Sequence, residues 1–184
     1  MSILNRIRQF SNAANAEIFS TDVDFIRKYL NKQEQVLFYR MPIADQRHSL
    51  DVAYNLVDKI KYIEEKRRQP LKLKEESVVA ALLHDVGKIN APFSLFSRVS
   101  YIIVKKLFKN LGWELLLNLG KNPSSWLLFR NFYILEFHHL IGANLLKQVD
   151  SNPEVINMVG HHQGKIKLED PIVLNLIREL DQTN

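Results

Sequence analysis

Five places in this chain set a histidine or an aspartate at the inner edge of an apolar stretch. His48 stands one turn before Val52 and two before Leu56, and His84 and Asp85 end the apolar run VVAALL. His138 precedes Ile141 and Gly142 by one turn, His161 and His162 follow Met158 and Val159, and Asp181 follows Leu174 and Ile177. At helical spacing each of these polar groups falls on the core side of its segment. A single core histidine with a hydrogen-bond partner is ordinary. Several converging ones are not, because burying each without a partner costs roughly 1–3 kcal/mol. Two converging aspartates would also raise each other's pKa. A divalent cation answers both problems: it takes the imidazole lone pairs and neutralises the carboxylates. The chain has no cysteine. Disulfides, thiolate metal sites and cysteine nucleophiles are therefore excluded, and imidazole with carboxylate suits Zn, Fe or Mn.

Long periodic stretches carry these residues, with only six Gly and six Pro among 184 residues, which favours an all-α fold. Thr21 or Asp22 begins a helix reaching about Leu30, and residues 33–40 continue helically. Pro42 opens a long helix through QRHSLDVAYNLVDKIKYIEEK, with Leu50, Ala53, Val57 and Ile60 on its apolar face. Glu75 to about Lys88 reads as one buried helix. A further helix carries Leu95, Val99, Ile102, Ile103 and Leu107 on one side. Gly112, Gly120 and Pro123 break residues 109–134 into short helices, and most of the aromatic residues between Asp85 and His138 belong to the core, with a few available for a lid. Residues 138–149 are helical, and Pro153 and Pro171 open the last two helices. Residues 1–41 read as an N-terminal extension packing on a core domain of residues 42–184, with a long insertion at 89–137.

The formal charge is +5 and the sequence pI about 9.4. Lys-rich helix faces account for this, and so does attraction for anionic substrates such as nucleotides. Residues 1–19 hold Arg6 and Arg8 with no apolar run behind them, so no secretory signal is expected. Leu95 to Leu119 is interrupted by Arg98, Lys105, Lys106, Lys109 and Glu114, which rules out a membrane span there. The expectation is a cytoplasmic protein.

The order H…HD…H…HH…D, in the wording QRHSLDVA, ALLHDVGKI, HHLIGANLL, VGHHQ and IRELDQTN, resembles the HD superfamily of metal-dependent phosphohydrolases, and HDVGK is close to the HDIG wording of one of its branches. The resemblance covers about residues 42–184. It implies an all-α HD-domain helical bundle with the metal site in its core. It implies that His48, His84, Asp85 and Asp181 bind a first divalent metal, that Asp85 bridges to a second, and that His138, His161 and His162 hold the second. Fe, Mn, Zn, Co, Ni and Mg are not distinguished. A hydroxide bridging the cations would hydrolyse a phosphate ester, a nucleotide or a phosphodiester, and the partner would be a small phosphorylated substrate rather than a stable nucleic-acid complex. Lys88, three residues after Asp85, would act with it in catalysis and contact the substrate phosphate. Arg47 and Arg98 are weaker candidates for that contact. His139, about 100° from His138, stands behind the ligands or outside them. Two departures limit the likeness: Gln163 follows the histidine pair where Glu is common, and no GYP signature follows, which argues against the cyclic-di-GMP phosphodiesterase subgroup. An oxygen-dependent di-iron enzyme and a non-catalytic nucleotide sensor remain alternatives on the same ligand set.

Overall fold

The computed structural model describes residues 16–91, 95–108 and 112–183, with side chains from residue 99 onward in the second stretch. Every regular element among them is helical. In chain order they are α1 (Ser20–Tyr29), α2 (Lys32–Tyr39), α3 (Ile43–Arg67), α4 (Lys74–Leu83), a 3-10 turn (Val86–Lys88), α5 (Leu95–Phe108), α6 (Trp113–Gly120), α7 (Leu127–Gln148), α8 (Pro153–His161) and α9 (Ile172–Thr183).

Local chemistry sets the helix ends. Asn31 caps α2 by accepting from the Gln33 and Glu34 N–H groups, while Glu34 accepts from the Asn31 N–H, a reciprocal pair that satisfies otherwise orphaned donors. Asn152 caps α8 and Pro153 fills its first position, where a missing N–H costs nothing. The run VVAALL is buried nearly all round at the centre of the molecule. Around it α3 lays Leu50, Val52, Ala53, Leu56 and Ile60, α8 lays Val155, Met158 and Val159, and α9 lays Val173, Leu174 and Ile177. The first two helices add Ile26, Leu30, Leu37 and Phe38 to the same core. They are tied down by polar links as well. Buried Asp22 accepts from the Arg47 guanidinium at 2.7 Å and from the Tyr54 hydroxyl at 2.9 Å, and the Ser151 hydroxyl donates to Glu34 at 2.6 Å.

A second, smaller core lies under α5 and α6. Trp113, Leu117 and Phe132 are buried there, with Tyr101, Val104 and Phe137 packed against them. The inner face of α5 is fixed to α7 by Lys105, which donates to the Glu136 carboxylate at 2.7 and 2.9 Å.

Two sequence expectations change. The buried helix expected to reach Lys88 stops at Leu83, and the chain then tightens into a 3-10 turn. The stripe of Val99, Ile103 and Leu107 on one side of α5 faces solvent, because Tyr101, Val104 and Lys105 supply the face that meets α7. Helix α7 also begins at Leu127, well before His138.

Candidate metal centre

The break after Leu83 is what turns Asp85 inward. Asp85 has φ −95° and ψ 4°, in the bridge region rather than the helix well. The turn that follows lies directly on α7: a Cβ at Gly87 would overlap the His138 carbonyl oxygen and come within 2.8 Å of the Gly142 nitrogen. Glycine at 87 is therefore required for the two backbones to touch, and that touch brings Asp85 beside His138.

Three histidines are oriented in one way. The Nδ1 of His84 lies 2.8 Å from the Ala81 carbonyl, that of His138 2.9 Å from Leu135, and that of His162 2.7 Å from Val159. Each ring thus donates Nδ1–H three residues back, and its Nε2 lone pair faces inward. Those lone pairs meet carboxylates. His84 Nε2 lies 3.5 Å from Asp181 Oδ1 and 3.7 Å from Asp85 Oδ2, and His138 Nε2 lies 3.3 Å from Asp85 Oδ1. His48 joins through its Nε2, 3.0 Å from Asp181 Oδ1. The rings of His48, His84, His162 and His138 follow one another with centroids 5.1–5.3 Å apart.

Six of these side chains form two groups, His48 with His84 and Asp181, and Asp85 with His138 and His162. Within each, one ligand atom per residue lies within 4.8 Å of the others. The Nε2 atoms of His84 and His162 are buried and have no hydrogen-bond partner. Lone pairs facing carboxylates in a dry interior need a proton or a cation between them. The electrostatics express the same need. Burial pushes the His84 imidazole down, but Asp85 and Asp181 outweigh it and raise its pKa from 6.5 to about 9. His162 goes the other way: burial, with His84 and His138 beside it, lowers it to about 3. Burial disfavours the charged forms of Asp85 and Asp181, yet Lys88 with His84 and His138 holds Asp85 well below the carboxylate range, and His48 with His84 does so for Asp181. The residues present fit divalent cations: imidazole nitrogens with fixed tautomers, and two ionised carboxylates among them.

His161 falls elsewhere. The resemblance assigns it to the second metal, but it is exposed, with Nδ1 2.8 Å from the Asn157 carbonyl, and it belongs to neither group. Adjacent residues on a helix point about 100° apart, and here His162, just past the last turn of α8, takes the inward direction. Gln163 reaches the site instead, with its amide nitrogen 3.0 Å from His138 Nε2, on the lone pair a cation would use. His139 is half-buried, and burial beside His138 lowers its pKa.

Lys88 points inward, with Nζ 2.6 Å from Asp85 Oδ2 and 3.9 Å from Asp45 Oδ1. Arg47, expected near a phosphate, is committed elsewhere: its guanidinium is held by Asp22 at 2.7 Å and Asp51 at 3.0 Å, which anchors α1 to α3. The Arg98 side chain lies outside the described residues.

Two contributors are not singled out by the sequence pattern. Asp45 is buried on α3 one turn before His48, with Lys88 Nζ 3.9 Å from its Oδ1. Arg178 is buried on α9 and donates through Nε and Nη2 to the His161 carbonyl at 3.1 and 3.0 Å, and through Nη1 to Lys165 and Asp170. It clamps the turn that follows α8 and carries His162. A basic residue three before Asp181 is plain in the sequence, but its partners are not.

Among known families, the model for the HD domain matches residues 46–126. That span includes His48, His84 and Asp85 and stops before His138, His162 and Asp181. No curated protein and no solved structure matches the chain.

Proposed function

For a chain that carries an HD domain over residues 46–126, we propose a metal-dependent phosphohydrolase acting on a phosphate ester, either a nucleotide or a phosphodiester. The observation that carries this reading is the pair of buried Nε2 atoms on His84 and His162 that make no hydrogen bond, each in a three-residue ligand group with an ionised carboxylate. We assign His48, His84 and Asp181 to one divalent cation and Asp85, His138 and His162 to a second. Asp85 belongs to the second group, and its Oδ2 lies 3.7 Å from His84 Nε2 of the first, so it would serve both cations. When bound, the cations would lower the pKa of a coordinated water and stabilise charge on the phosphoryl oxygens.

The chain's own residues do the rest. The three Nδ1–H bonds to backbone carbonyls hold the rings in the tautomer that offers Nε2, so little reorganisation is needed on loading. Lys88, held 2.6 Å from Asp85, carries a cation to the edge of the ligand groups, where its ammonium would take a phosphoryl oxygen as negative charge develops. The Gln163 amide must leave the His138 lone pair for that ring to ligate. No covalent intermediate is required, in keeping with the absence of cysteine.

The test joins metal analysis to a substrate panel of bis(p-nitrophenyl) phosphate, p-nitrophenyl phosphate, nucleoside mono- and triphosphates, cyclic dinucleotides and dinucleoside polyphosphates. We expect metal in the native chain and hydrolysis of at least one ester. His84→Ala and Asp85→Ala should lose metal and rate together. Either variant keeping full metal and full rate would overturn the assignment.

A further inference from the structure

The chain's charge is not spread evenly. Residues 95–130 contain Arg98, Lys105, Lys106, Lys109, Lys121 and Arg130 against the single acid Glu114, a surplus of five. The whole chain has 25 Lys and Arg against 20 Asp and Glu, so the remainder balances to zero. Within this stretch of sequence lie α5, α6 and the start of α7, and their described residues also turn large apolar side chains outward. Helix α5 exposes Val99, Ile103 and Leu107, spaced by four, with Leu107 at 73%. Helix α6 exposes Leu115 at 64% and Leu119 at 48%, and Trp126 stands 75% exposed before α7. Both helices already spend their opposite faces on α7, through Tyr101, Val104, Trp113 and Leu117. The outward faces are therefore additional to the fold. Lys106 and Lys121, both exposed, border them.

We propose that the outer faces of α5 and α6, with Trp126, dock onto an anionic lipid surface. An apolar helical stripe bordered by lysine, with tryptophan at its margin, is the pattern that settles at the boundary between headgroups and acyl chains. The charge decides between occupants. A two-fold contact between copies would set this patch against itself and oppose lysine to lysine. Lys105 is taken up by Glu136 on the inner side, and an anionic surface complements exposed Lys106 and Lys121. No described helix is long and apolar enough to cross a membrane, so the contact is peripheral.

The experiment is co-sedimentation of the full chain with vesicles of phosphatidylcholine alone and of phosphatidylcholine with about a third phosphatidylglycerol, alongside light scattering for mass. The expected result is at least tenfold stronger partition onto the anionic vesicles, weakening steeply with salt. Tryptophan emission should shift to the blue, which reports Trp126 because Trp113 is already buried. Lys106→Gln with Lys121→Gln should weaken partition about 5-fold per lysine removed, and Ile103→Ser with Leu107→Ser should abolish it while helical circular dichroism stays unchanged. Equal binding to both vesicles, insensitivity to salt, or no binding would overturn the proposal. So would a dimer abolished by Ile103→Ser with Leu107→Ser, or an acidic protein partner that competes for the patch while vesicles do not bind. Should the serine variants fail to fold, the salt and lipid dependence of the native chain decides.

Discussion

The centre of the molecule and its α5–α6 cap break the usual rule of burial in opposite directions. Around His84, polar groups are buried and left facing one another; along α5 and α6, apolar groups are left facing water. Each anomaly has a local reason. At the centre VVAALL and the helices packed on it bury His84 and His162, so their Nε2 atoms need a proton or a cation. Among the described residues the cap has Trp113, Leu117 and Phe132 as its own buried core, and it holds to α7 through one face of each helix. Inward polarity and outward apolarity both mark places where the fold by itself does not satisfy its side chains.

Metal removal should separate the two regions most sharply. Chelation should cost the loaded protein about 4 kcal/mol at metal concentrations near a thousand times Kd. Hydrogen exchange should register that loss at α4, the 3-10 turn and α8, with little change in α5 and α6. Loss of protection spread evenly over both regions would contradict their separation.

Gly87→Ala should come next, with about 3 kcal/mol of destabilisation by thermal or urea unfolding, because its methyl overlaps backbone that has no rotamer to yield. Metal affinity should fall with it, since the same contact sets Asp85 beside His138.

The chelated protein should also show a stability maximum near pH 6.5. The His84 pKa, raised from 6.5 to about 9, contributes stability fully present below pH 6.5 and lost as pH rises through 9, on the order of 3 kcal/mol. His162, lowered to about 3, must be buried neutral, so stability falls as pH drops from 6.5 towards 3. Metal should reverse the alkaline limb, because loading displaces the His84 proton and binds more tightly as pH rises. Melting temperatures across pH 4–10, with and without chelator, test both signs.

Lys88→Ala should lower turnover about 100-fold, the cost of one lost electrostatic donor, with metal stoichiometry kept. The smallest effect belongs to the cap: Leu107→Ser should change folding stability by no more than about 0.5 kcal/mol. A larger loss in urea titration would mean that the α5 stripe is part of the fold after all.

Much of the centre is legible in the amino-acid sequence alone. His48, His84, Asp85, His138, His162 and Asp181 stand out because each ends or edges an apolar stretch, and the ordered motifs link them. Direction at neighbouring positions is not legible in that way. His161 and His162 differ by one step on a helix, and only the exact end of α8 decides which turns inward. The halt of α4 at Leu83 is hidden because Asp85 to Lys88 lacks a strong breaker other than Gly87, whose role depends on α7, far away in sequence. Arg47 looks available for phosphate because nothing local announces Asp22, which lies on another helix. The apolar side of α5 is legible as a stripe, but a stripe does not state whether it faces core or solvent when the other side offers Tyr101, Val104 and a lysine paired to Glu136.

Helix α9 bears one further consequence. Asp181 lies on it within the first ligand group, and one turn earlier Arg178 grips the carbonyl of the residue preceding His162, which belongs to the second. A single rigid rod therefore reaches both halves of the cradle. Whatever shifts that rod by a fraction of a turn would loosen the two cation positions in concert, so they are expected to fill and empty as a unit.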